Sequence, residues 1–419
     1  MANIGVLPHA DLPHILPFFR LARELSKLNH QVHLVGSDVL TVGRGHSEAW
    51  KGQVRRYGLG ERQHLHRDRK VPFHSWLRQV IAQAQLDVLI VDAVWQAIAY
   101  ALADLPRIVT VVHHAGLPDF RTCDMPTWHF VHPEHPRETL EAARRRNEEL
   151  ECTGPGVRRL LLSLNSELPA NSPDARFAFG CGEFEALPAI RAMSLCPAVE
   201  FPAERGRIEY LGSLLPEPDD KDWQPPPMAA MQPSQPLIAC VFGTTGLQTR
   251  GEYQWLLDCS RKLAQEFSYC QVITVIPERM RGRWPLRRLP SNLLLLPWIP
   301  LWELLVGRNS AKVLVTTPGV GAFRDAVASG TPVVAIPRRA DQFGAAARTE
   351  YFGLGSAWVS SELPLDTILI PRIAQILGDG SMRLRAALMA DAVRAYDRTA
   401  PLKQFIDGVC GGSIRPTSR

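Results

Sequence analysis

No CxxC pair and no Cys/His spacing suited to a metal occurs among the eight cysteines of this 419-residue chain. The thiols therefore read as reduced core or surface groups of an intracellular protein, and neither a metal nor another cofactor is expected. No apolar run reaches the ~20 residues that span a bilayer. The longest, near Val88 to Ala103, is interrupted by Asp92. A signal peptide's charged and apolar regions are missing from the amino terminus, so a soluble, cytoplasmic protein is expected. No Gly-x-Gly-x-x-Gly follows an expected strand, which ranks an NAD-dependent oxidoreductase last among the readings of an α/β chain. Charge of one sign is not in large excess, the formal net charge being +5. Without a recognition motif that excess excludes nucleic acid as the expected partner. Two basic clusters, Arg144 to Arg146 and the group Arg279, Arg281, Arg283, Arg287 and Arg288, read first as solvated surface. Contact with an anionic membrane surface or an anionic acceptor is the alternative.

What is present is enough apolar material for two cores, 46% of the residues, in a chain too long for a typical single domain. The apolar periodicity lapses between Pro216 and Pro236, where Pro, Asp and Gln crowd into an extended linker. The expected division is a first domain over 1–215, a linker over 216–236, a second domain over 237–385, and a carboxyl-terminal helix with a loose tail over 386–419. No internal repeat relates the two domains.

The richest stretch is VLVTTPGVGAFRDAVASGTPVVAIPRRADQFGAAARTEYFGLG, 313–355. Its β-branched run Val313 to Val315 leads into a turn with Gly319 and Gly321, then into helical composition from Ala322 to Ser329. A second apolar run, Pro332 to Ile336, is followed by Asp341 and Gln342. Strand ends and a helix N-terminus would then meet at one crevice, where free backbone N–H groups suit a phosphate. Asp325, Asp341 and Gln342 are short polar groups able to hold sugar hydroxyls. At the other end of the chain, Ile4 to Leu7 reads as a strand, followed by a Pro-rich turn, a helix from about Leu16 to Leu28 and a strand from Val32 to Val35. Asp92 ends another strand-like run and would lie at a carboxyl edge, where it also suits the cap of a helix from Ala93 to Ala103.

These two ends together resemble the UDP-glycosyltransferase family. The resemblance implies an α/β protein with the GT-B fold, two Rossmann-like domains whose parallel sheets face a central cleft. It further implies an inverting, metal-free transfer of a hexose from a UDP- or dTDP-sugar, as co-substrate, to a hydroxyl of a lipophilic small molecule of natural-product type. Counted from Thr317, where the family has a phosphate-binding His, Asp325 falls at the ribose position and Asp341–Gln342 at the donor-sugar position. Trp298 matches the Trp that stacks on the nucleobase. Gly319, Gly321 and Ala322 belong to the diphosphate turn, and Thr244, after the strand Leu237 to Phe242, would lie beside the donor. The departures are Thr317 in place of His and Pro318 in place of Gly, which remove a positive charge and motivate a second reading, a binding protein of the same fold.

In the amino-terminal half, His14-Ile15-Leu16-Pro17 matches the family's loop with its general base, and Asp92 its carboxylate partner. An imidazole titrating near neutrality suits removal of a hydroxyl proton, and His9 is the nearest rival. The acceptor region, about Phe73 to Phe201, offers Trp76, Trp95, Phe120, Trp128 and Phe130 as rings for an apolar pocket, with His113 and His114 at a strand end. Core packing is the plainer reading of each of these rings.

Overall fold

The computed structural model describes residues 1–8, 12–35, 64–65, 73–93, 98–102, 105, 107–114, 189–201, 208–215, 235–243, 249–277, 289–306, 310–338, 341–358 and 368–415. Outside them fall His9, Trp95, Phe120, Trp128, Phe130, Thr244, most of the expected linker and both arginine clusters; the side chain of His14 is likewise outside. The described elements fall into two compact units. One takes the strands up to residue 214 and the chain from Tyr396 onward, the other the chain from Leu215 to Ala395.

The first unit is a parallel sheet of seven strands: β1 (Asn3–Leu7), β2 (Gln31–Val35), β3 (His64–Leu65), β4 (Val88–Asp92), β5 (Val109–His114), β6 (Ile190–Met193) and β7 (Glu209–Tyr210). Their order is β3-β2-β1-β4-β5-β6-β7. The order reverses between β1 and β4, which places a switch point at their carboxyl ends. Strand β4 is buried along its whole length, as expected of a central strand covered on both faces.

Helices α1 (Leu12–Lys27), α2 (Phe73–Gln83) and the short α3 (Ile98–Ala101) belong to this unit. Helix α1 starts four residues before the expected Leu16. Pro13 fits its first turn, where a backbone N–H would have no acceptor anyway. Pro17 lies inside it and cannot donate to the carbonyl four residues back. The buried face of Phe18, Leu21, Ala22 and Leu25 recurs at helical spacing and anchors the helix to the core. The helix expected over Ala93 to Ala103 is described as helix only from Ile98 to Ala101.

The second unit repeats the plan with six parallel strands: β8 (Leu237–Cys240), β9 (Gln271–Val275), β10 (Leu293–Leu296), β11 (Ala311–Thr316), β12 (Val333–Ala335) and β13 (Gly355–Ala357). Their order, β10-β9-β8-β11-β12-β13, reverses between β8 and β11. Around the sheet run α4 (Arg250–Glu266), α5 (Leu301–Val306), α6 (Val320–Ser329), α7 (Gln342–Tyr351), α8 (Ile370–Gly378) and α9 (Gly380–Asp397). A capping box on Thr249 and Glu252 starts α4.

Helix α10 (Pro401–Cys410) closes the described chain. It sets Leu402, Phe405, Ile406 and Val409 into the same core as Ile4, Phe18 and Ile90 of the first unit. Its approach is fixed by Asp397, whose carboxylate accepts from the backbone N–H of Ser213 at 2.9 Å and from the Ser213 hydroxyl. The hydroxyl of Tyr396 donates to the carbonyl of Tyr210 at 2.8 Å. No helix among the described residues is long and apolar enough to cross a membrane.

Candidate active site

In the first unit the switch point between β1 and β4 carries Asp92. It is fully buried and lies in register with His113 on β5. The His113 ring meets the edge of Phe18 at 4.9 Å, and its Nε2 is 2.8 Å from the hydroxyl of Ser194 beyond β6. His113, expected among acceptor contacts, therefore sits inside a polar knot of the interior. His114 is buried beside it, and its pKa is pushed down to about 3 by burial, with Arg191 and His113 adding to the effect and Asp92 opposing it. Trp76 stands in the core with Leu77, Val80 and Leu7. His14 occupies the first turn of α1, the helix that follows β1 directly, so the chain carries His14 and Asp92 away from the ends of neighbouring strands.

In the second unit the switch point lies between β8 and β11. The Thr316 hydroxyl donates to the carbonyl of Val241 at 2.6 Å and ties the two strand ends together. The next residue, Thr317, is 2% exposed, and its hydroxyl has no hydrogen-bond partner among the described residues. Gly319 then begins α6 in an extended conformation with no side chain capping the helix. A Cβ on Gly319, Gly321 or Gly243 would meet nothing within 4 Å among the described residues. An uncapped helix start offers unsatisfied N–H groups and the positive end of its dipole. Beside it stands the buried Thr317 hydroxyl, without a hydrogen-bond partner among the described residues, so the turn gathers donors of the kind that suit an anion.

Ala322 lies in the first turn of α6 and Asp325 one turn further on. The Asp325 carboxylate is almost buried and accepts two bonds from the adjacent Arg324, at 3.1 Å from Nε and 2.9 Å from a terminal nitrogen. Asp341 stands at the start of α7 without capping it through its side chain. Gln342 is buried, and its side-chain oxygen accepts from the backbone N–H of Arg338 at 2.8 Å. Trp298, two residues past β10, is 50% exposed, so its ring is available for stacking.

Arg338 itself was passed over in reading the sequence. It follows β12, and its guanidinium lies over the Trp255 ring, 5.6 Å from the centroid. Trp255 in turn meets Phe242 edge-on at 5.8 Å. The sequence signal was its position, three residues past a strand end and three before Asp341.

Each unit is thus a doubly wound parallel sheet with polar groups gathered at its switch point, and the class these define is the GT-B fold. Two known structures match it over nearly the whole chain. LpCGTa in complex with UDP covers 97% of this chain and 99% of its own, with a TM-score of 0.67 at 15% identity. Spinosyn rhamnosyltransferase SpnG complexed with thymidine diphosphate covers 97% and 100%, with a TM-score of 0.61 at 17% identity. At such identities the likeness speaks for the fold alone.

Sequence carries the assignment further. Residues 257–402 match the family described as Erythromycin biosynthesis protein CIII-like, C-terminal domain. Zeaxanthin glucosyltransferase of Pseudescherichia vulneris is 33% identical over 103 residues, a stretch that spans 25% of this chain and 24% of that protein. The second unit thus resembles that family's carboxyl-terminal domain, and the chain spans a quarter or less of the length of the curated glycosyltransferases it matches.

Proposed function

We propose that the protein is an inverting glycosyltransferase that moves a hexose from a UDP- or dTDP-sugar to a hydroxyl of a lipophilic small molecule. The observation that carries this reading is the turn after β11, where the unpartnered Thr317 hydroxyl adjoins the uncapped start of α6. In this reading the diphosphate lies on that turn, against Gly319, Gly321 and Ala322. Asp325 takes the ribose, Asp341 and Gln342 the sugar, Trp298 the base, and Thr244 the donor's flank. His14 removes the proton from the acceptor hydroxyl, and Asp92 stabilises the imidazolium that results. The acceptor oxygen bonds to the anomeric carbon as the bond from that carbon to the diphosphate oxygen breaks, and the electron pair leaves with the diphosphate. Helix dipole and backbone N–H groups hold the charge that develops there. Exclusion of water matters because water is the competing nucleophile.

Titration calorimetry of UDP and dTDP on the wild type and on Thr317→His tests this reading first. Binding by the wild type supports it, and an acceptor screen then follows in which His14→Ala is expected to lose about a hundredfold or more in rate with nucleotide affinity retained. A second reading, a binding protein of the same fold, is favoured by the loss of a cationic group at Thr317. Wild-type silence towards both nucleotides, with affinity gained by Thr317→His, would decide for that second reading.

A further inference from the structure

Thr317 cannot supply the positive charge that a diphosphate calls for, since a hydroxyl donates a single neutral hydrogen bond. The register of the second sheet relates this position to the ends of the neighbouring strands. Cys240 on β8 pairs with Val315 on β11, and Val315 pairs with Val334 on β12. Side chains two residues apart share a face, so Phe242, Thr317 and Ile336 continue that row, with Arg338 two residues past Ile336. Cys240, Phe242, Val315, Val334 and Ile336 all belong to one core cluster, with Trp255 packed against it.

The Arg338 side chain starts beyond β12 and ends over Trp255, whose ring rests on Phe242 beyond β8. Strand β11 lies between β8 and β12. On its way from the end of β12 to Trp255 the side chain therefore crosses the line of β11, the strand that runs out at Thr316 into Thr317. Its Nε is buried without a hydrogen-bond partner, and no carboxylate among the described residues pairs with it. An arginine held on an aromatic face keeps its in-plane donors for a planar or tetrahedral oxyanion.

Resting on the donor-site reading above, we propose that Arg338 is the phosphate-binding cation of this protein, placed on Trp255 to replace the charge missing at position 317. The ligand class is a nucleoside diphosphate, and the contact is to its phosphate oxygens rather than to base or sugar. Arg338 then sets the strength of diphosphate binding, while base and ribose contacts are made elsewhere in the site.

The test is calorimetric titration of the full chain with UDP and dTDP, and with uridine and thymidine, at low and high salt. The variants are Arg338→Gln, Arg338→Lys, Trp255→Leu and the double variant Thr317→His with Arg338→Gln; thermal melting of each reports folding. Arg338→Gln is expected to weaken the diphosphates at least about tenfold, as loss of a charge-assisted contact requires, and to flatten their salt dependence. Nucleoside affinity stays within about twofold under the same substitution, because no nucleoside contact is lost. Arg338→Lys retains part of the affinity, Trp255→Leu loses less than Arg338→Gln, and the added His restores binding in the double variant.

Unchanged diphosphate affinity in a folded Arg338→Gln overturns the proposal, as does an equal loss for nucleoside and diphosphate. Wild-type binding of nucleosides without preference for diphosphates also overturns it, while leaving a nucleotide-base site standing. Silence of the wild type towards every ligand removes the donor-site reading and this inference together.

Discussion

Asp325 and Arg324 are neighbours on a helix, and adjacent residues there diverge too far to face each other by spacing alone. The pairing at 2.9 Å comes from the long arginine side chain folding back in a buried setting, which no sequence pattern announces. The offset of Asp325 from Thr317 was legible; the tether on its carboxylate was not. Substituting Asp325→Asn keeps the shape and removes the charge, and should weaken UDP or dTDP binding about tenfold or more, the worth of a hydrogen bond to a charged group. Calorimetry on the two proteins checks it. His114 gives a pH prediction. Its native pKa of about 3 lies below the ordinary 6.5, so the unfolded chain takes up a proton that the folded chain refuses. Its contribution is whole above pH 6.5 and is lost as pH falls towards 3, at up to about 1.4 kcal/mol per pH unit. Urea midpoints measured from pH 7 to pH 4 should fall less steeply in His114→Gln than in the wild type.

At the scale of elements, strands and helices at the second switch point lay close to their sequence positions because apolar runs, glycines and caps agree there. Helix α6 ends on Gly330, whose φ of 74° is left-handed and disfavours any side chain, although an added Cβ would only touch the Ala386 carbonyl at 3.4 Å. Gly330→Ala should cost about 1–2 kcal/mol, read as a lowered melting temperature. Thr249→Ala removes the capping box of α4 and should cost about 1 kcal/mol. Two elements were less legible. Helix α1 takes in Pro13 and His14 because a proline is at home in a first turn. The carboxyl-terminal helical pattern breaks into α9 and α10 at Ala400, a non-glycine residue at φ 54°. Pro401 disfavours a helical Ala400 before it, and near the break Asp397 and Tyr396 bond to Ser213 and Tyr210, residues 184 and 186 positions away.

For the whole molecule, α10 is the last described helix yet completes the core of the first unit. Four buried side chains there, at about 1.5–3 kcal/mol each, amount to a sizeable share of a domain's total stability of about 5–15 kcal/mol. A chain ending at residue 400 should therefore fail to fold its first unit, seen as loss of a cooperative melt and as aggregation. Asp397→Ala should give a smaller loss of the same kind. The interior also protects its thiols: burial pushes Cys240 up to about 12 and raises Cys259 further. Brief alkylation of native protein followed by peptide mapping should modify the exposed Cys410 and spare Cys240 and Cys259.

Composition and apolar periodicity were enough by themselves to determine two α/β folds with parallel strands, and the spacing of Thr317, Asp325, Asp341 and Gln342 to give a resemblance to the glycosyltransferases, because these are local properties of the chain. Tertiary structure alone decided that the Thr317 hydroxyl is buried without a partner, that His113 is locked between Phe18 and Ser194, and that Arg338 reaches Trp255 across the end of β11. Each of these depends on which strands become neighbours, and strand order is set by how whole sheets pack, not by any segment's own sequence.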